Sequence, residues 1–124
     1  MQFALLIYGD EAMGNERYAG LSEEEAAAEM GKWFAYTDEL KSSGVHVAGE
    51  ALHETQTAST VRTPNGERLV TDGPFAETKE QLGGFYIIDV PSKDDAIEWA
   101  AKIPSAPYGS VEVREIMTFD EAPS

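Results

Sequence analysis

The chain has 124 residues, with nine basic residues against 23 acidic ones for a net charge of −14, and no cysteine. That length supports one domain with a real core, since chains of this size bury roughly two thirds of their unfolded surface, and a single domain over residues 1–124 is expected. The charge would repel a phosphate backbone and an anionic membrane alike, which argues against direct nucleic-acid or membrane binding. The lack of cysteine excludes disulfides, thiolate metal sites and cysteine nucleophiles.

The opening MQFALLIYGD has no positively charged leader and six apolar residues in succession, too few for a signal-peptide core or a membrane span. A soluble, cytoplasmic protein is the resulting expectation. Phe3 to Tyr8 reads as a strand ended by Gly9-Asp10, and residues 9–20, with three glycines and Asn15, read as a loop. A helix starts at Ser22, where the serine caps free backbone amides and Glu25 reaches back to the cap. Ala26, Met30, Trp33, Thr37 and Leu40 recur at helical spacing, Ala27 and Phe34 widen the stripe, and Gly44 supplies a left-handed stop.

Val45 to Leu52 reads as a second strand. Ala58 to Arg62 then pairs with Arg68 to Thr71 across Pro64-Asn65-Gly66, because Asn-Gly accepts the positive φ angles of a tight turn. This hairpin should project from the sheet. A polar segment with Glu77 and Glu80, compatible with a short helix, leads to an apolar strand from Gly84 to Val90. Ser92 caps a further helix with Asp95 at the capping-box position, its apolar face made by Ala96, Trp99, Ala100 and Ile103 and its end set by Pro104. The last strand covers Ser110 to Phe119, where the changing alternation suggests a bulge.

Strand, helix, strand, hairpin, strand, helix, strand is an α+β, ferredoxin-like split βαβ plan with an inserted β-hairpin. Two helices cover only one face of such a sheet. FALLIY and GFYIID nonetheless carry apolar residues at both odd and even positions, so both faces call for burial, and a second copy packed face to face as a dimeric α/β barrel is the simplest partner.

Several separated motifs agree in order with a known family. Asp72-Gly73-Pro74-Phe75, then Ala76-Glu77-Thr78-Lys79-Glu80 and Leu82-Gly83-Gly84-Phe85, resemble the signature of the DGPF branch of the YCII-related proteins. The opening LLIYGDE, the segment Ala48 to Leu52 and the segment Tyr108 to Arg114 extend the resemblance over nearly the whole chain. It implies a dimeric ferredoxin-like α/β barrel. It also implies a His-Asp acid-base pair, proposed for the wider group, in which some members act as lyase-like or dehalogenating enzymes on small ring-derived acids. The helix from Ser22 contains no histidine, and the position that aligns with the group's helix histidine falls near Trp33.

Among the candidate site residues, Asp72 stands before the Gly73-Pro74 turn, either holding a polar ligand or proton or accepting backbone amides as a turn cap. His46 faces away from Val45 and Val47, as a proton-transfer group in an interface cavity or a hydrogen-bonded structural residue. His53 has the same two readings at the strand end. Glu77 is a ligand contact or a solvated acid, with Lys79 as its exposed neighbour. Trp33, Phe75, Phe85 and Tyr86 line an apolar pocket or belong to the core. Gly83-Gly84 lacks the spacing of a nucleotide loop, the two histidines make no convincing metal pair, and no serine sits in a nucleophile elbow, so neither cofactor nor metal is expected.

Two functions of different class fit. In one, the chain is a dimeric small-molecule-binding or accessory protein, and the resemblance supplies a link to extracytoplasmic-function sigma factors. In the other, it is a lyase- or isomerase-type enzyme on a small polar substrate, with Asp72 as base or orienting carboxylate and His46 as proton-transfer partner.

Overall fold

The computed structural model describes residues 1–119, so the expected domain end at Ser124 lies outside the described residues. The elements are β1 (Gln2–Gly9), α1 (Glu11–Ala19), α2 (Glu23–Ser42), β2 (His46–Ala51), β3 (Ser59–Arg62), β4 (Leu69–Asp72), β5 (Gln81–Asp89), α3 (Lys93–Ala101) and β6 (Ser110–Glu115). Four strands form one antiparallel sheet in the order β2-β5-β1-β6, and β3 with β4 forms a separate two-stranded sheet. The four-stranded order is consistent with the ferredoxin-like plan, with the hairpin inserted between β2 and β5.

Local chemistry accounts for most of these boundaries. The Ser22 hydroxyl accepts from the Glu25 amide at 3.1 Å while the Glu25 carboxylate accepts from the Ser22 amide at 3.0 Å, so the expected capping box is formed. Those bonds favour the ionised acid, and they hold the Glu25 carboxyl below its ordinary value of 4.5. At the far end Gly44 takes φ +76°, the left-handed stop. In the hairpin turn Asn65 and Gly66 take φ +53° and +79°, the conformation that this residue pair tolerates. Ser92 accepts from the Asp95 amide at 3.2 Å to open α3.

The core lies between the sheet and helices α2 and α3. Phe3, Leu5 and Ile88 from the sheet meet Leu40 from α2 and Ala96, Ala100 and Ile103 from the α3 segment. Two tyrosines carry polar groups into this layer and both are satisfied there. The Tyr36 hydroxyl donates to the Trp99 carbonyl at 2.8 Å, and the Tyr86 hydroxyl shares a 2.7 Å hydrogen bond with Thr37. Burial pushes the Tyr36 phenol up, with Tyr86 and Glu39 adding to the shift.

Several expectations are corrected. Residues 9–20 are mostly helix: the Asp10 carboxylate accepts from the Met13 amide at 3.1 Å and starts α1, which buries none of its residues and so shows no apolar stripe. The inner face of helix α2 is only partly the expected one: Leu40 is buried and Ala26, Trp33 and Thr37 are half-buried as the stripe requires, but Met30 and Phe34 are exposed and Tyr36 is buried in addition. Tyr36 takes the inner place because its hydroxyl finds a carbonyl partner. The segment around Glu77 forms no helix. β6 ends at Glu115 in unbroken register with β1, and the irregularities fall instead between Ile7 and Tyr8 and between His46 and Ala48.

Candidate functional site

Pairing register divides the sheet into two faces. Phe3 opposes Ile88, Leu5 opposes Tyr86 and Val113, and Ile7 opposes Val111, and these residues face the helices or pack on the core they form. Residues between them point the other way. That second face has Ala4, Leu6, Phe85 and Ile87 at its centre and Ala48 beside them, with Tyr8, Glu50, Glu112 and Arg114 around the margin. No helix covers it. Arg114 and Glu112, two residues apart on one strand face, form an ion pair. The hydrogen bond that the Arg114 guanidinium donates to Glu112, reinforced by the charge of Glu112 and by nearby Tyr8, raises that guanidinium above its ordinary range. An apolar centre with a polar, charged margin suits packing against another apolar surface, with hydrogen-bonding groups at the rim.

Of the residues singled out in the sequence, Phe85 lies on this face, half-buried, opposite Leu6 and Glu50. Trp33 is half-buried on α2 and packs against the core. His46 opens β2 opposite Ile88, and its ring meets Tyr86 edge-on at 6.4 Å. Asp72 ends β4 in the other sheet, opposite Ser59, and is exposed. No hydrogen bond or ion pair joins Asp72 to His46. Phe75 is 75% exposed and Glu77 and His53 are exposed as well, so within one chain these seven candidates do not converge on one pocket.

The turn after Asp72 is held by its glycine. Gly73 takes φ +96°, its amide donates to the Ala58 carbonyl at 2.6 Å, and its carbonyl accepts from the Thr60 hydroxyl at 2.8 Å. A β-carbon would be strained at that φ, which explains the glycine. The Asp72 carboxylate takes no part in these bonds and stays in solvent, available to a partner or ligand.

Sequence reasoning missed a polar cluster at the foot of the hairpin, because it treated α1 as loop. The Glu11 carboxylate accepts the Thr55 amide at 2.9 Å and the Thr55 hydroxyl at 2.7 Å. The Glu11 amide donates to the Gln81 side chain at 2.9 Å, and the Ser110 hydroxyl donates to Glu80 at 2.7 Å. The Arg17 guanidinium lies 4.5 Å from the centre of the Tyr108 ring. The only signal in the sequence was Asp10-Glu11 after a strand, a cap followed by an acid at the positive end of a helix. These groups satisfy one another, so their role is to fix where the hairpin leaves the body.

Among the described residues no group of three His, Asp or Glu side chains is placed to hold a metal ion. Two shallow grooves, of about 330 and 410 Å³, lie along α2 and α3, and neither contains a candidate residue. No helix among the described residues is long and apolar enough to cross a membrane.

The model of the YCII-related domain family matches residues 1–120. A protein of Rhizobium meliloti (strain 1021), uncharacterized protein R00369, is 38% identical over 121 residues, covering 96% of this chain and 94% of that protein. Matched over almost its full length and sharing more than a third of its residues with that relative, the chain belongs to the YCII-related family.

Proposed function

We propose that this is a small cytoplasmic homodimer of the DGPF branch, built by packing two helix-free sheet faces into a dimeric α/β barrel, and that it works as a small-molecule-binding or accessory protein. The observation that carries this reading is the uncovered face itself, with Leu6, Phe85 and Ile87 at its centre and charged groups confined to its margin. A polar ligand would be held at the rim between the sheets, where Tyr8, Glu50 and Arg114 supply hydrogen-bonding groups. The accessory role, in the setting of an extracytoplasmic-function sigma factor, would act through protein contacts, since a charge of −14 disfavours DNA.

Light scattering at micromolar concentration should give twice the chain mass, and Leu6→Asp with Phe85→Asp should give a folded monomer. A wild-type monomer would remove the reading. Thermal-shift screening of small polar acids, and pull-down of a neighbouring sigma factor, then separate ligand binding from an accessory role. A lyase- or isomerase-type reaction through Asp72 and His46 ranks second, because the two residues occupy different sheets and no hydrogen bond joins them.

A further inference from the structure

The β3–β4 hairpin is a two-stranded sheet with little packing beyond itself. Such a hairpin is marginal in water, where a third strand or a covering layer is usually needed. Its side chains make the problem sharper. Val61 and Val70 oppose each other across the hairpin and are 57% and 58% exposed, while Leu69 and the following Phe75 are also open to solvent.

The hairpin is nevertheless rooted firmly. The Leu52 amide donates to the Gly83 carbonyl at 2.9 Å, Glu11 holds Thr55 through both carboxylate oxygens, and Gly73 is tied to Ala58. An arm fixed at its foot and bare along its length is set to meet a surface outside its own chain. Its charge indicates which surface. Residues 59–72 hold Arg62 and Arg68 against Glu67 and Asp72, with Asp72 at the foot and both arginines towards the turn, so the arm is neutral in a chain with nine basic and 23 acidic residues. Among the described residues neither arginine has an ion-pair partner. A neutral, apolar arm with two unpaired arginines near its turn is therefore complementary to the acidic body from which it projects.

We propose that the hairpin is a clamp that docks on a second copy of this chain, its arginines meeting the partner's acidic surface and its valines leaving water. The proposal rests on the homodimer reading above and adds to the sheet-face contact a second, charge-guided one. Docking would also cover Phe75 and bring Asp72 against the partner, so a site built on the Asp72 loop would be completed only in the dimer.

Hydrogen exchange of the β3–β4 amides, with light scattering on the same samples, tests this directly. Wild-type dimer should protect those amides roughly tenfold or more over the Leu6→Asp, Phe85→Asp monomer. The Arg62→Glu, Arg68→Glu variant should lose that protection while β1 and β5 keep theirs. A dimer whose hairpin exchanges as fast as the monomer's overturns the clamp and leaves the sheet-face dimer intact. Equal protection in the monomer overturns it too, because the hairpin would then be stable on its own chain. Unchanged protection in the charge-reversed dimer overturns docking by charge, and a wild-type monomer overturns both readings.

Discussion

Adjacent glycines in β5 should respond oppositely to the same added methyl group. A β-carbon at Gly84 would sit 2.8 Å from the Glu50 carbonyl oxygen and 3.4 Å from the Ala51 α-carbon, both backbone atoms of β2. Neither can move without opening the ladder between β2 and β5. At Gly83 the nearest atom is the Ile7 carbonyl oxygen at 3.9 Å, an ordinary contact. Alanine in place of glycine stabilises by about 0.4–1 kcal/mol through the unfolded chain where the conformation permits, whereas overpacking costs about 1–3 kcal/mol. Gly84→Ala should therefore lose roughly 1–2 kcal/mol net, and Gly83→Ala should be neutral or gain up to about 1 kcal/mol. Thermal and urea denaturation at one fixed protein concentration would read this as a lower Tm and midpoint for the first variant alone. Equal midpoints, or a more stable Gly84→Ala, would refute the claim that the strands approach this closely.

Other outcomes follow from the same structure. Leu40→Ala removes a fully buried side chain and should cost about 2–5 kcal/mol in urea denaturation. Tyr86→Phe keeps the ring but loses the bond to Thr37, so about 0.5–1.5 kcal/mol should disappear, with little further loss when Thr37→Val is added. Glu25 has a folded pKa below its ordinary 4.5, so its contribution is present above that value and fades as pH falls through the folded one. Glu25→Gln should accordingly lower Tm at neutral pH, with the gap to wild type closing on acidification. Glu11→Ala frees both bonds to Thr55, and amide exchange in the hairpin's foot should quicken while the core is unchanged.

The order of strands was legible because each announces itself over a few residues: FALLIY and GFYIID by apolar runs, the hairpin by Asn65-Gly66, α2 by its capping box. Helix α1 was not, since it buries nothing and its glycines at 14 and 20 suggest loop. Most of the inner face of α2 was legible, with Trp33, Thr37 and Leu40 in place, but its edge was misjudged because apolar character alone does not choose between Tyr36 and Phe34. Tyr36 wins by reaching the Trp99 carbonyl, a group 63 positions away that no local pattern can reveal. The Asp72 loop was recognisable as a motif, but its distance from His46 depends on how the inserted hairpin leaves the sheet. That angle is set by Glu11 and Thr55, which are themselves 44 positions apart.

The central place of β1 has a consequence for how the protein is made. Phe3 pairs with Ile88 on one side and Glu115 on the other, so the strand has no neighbour until most of the chain exists. Pairings of such long range are slow to form. At ordinary translation speeds of about 5–20 residues per second, β1 waits roughly 4–16 s before β5 emerges. During that interval FALLIY is a sticky, unpaired segment on a nascent chain. Substitutions that weaken β5 should therefore reduce soluble yield and raise chaperone demand before they noticeably lower the melting point of the protein that does fold.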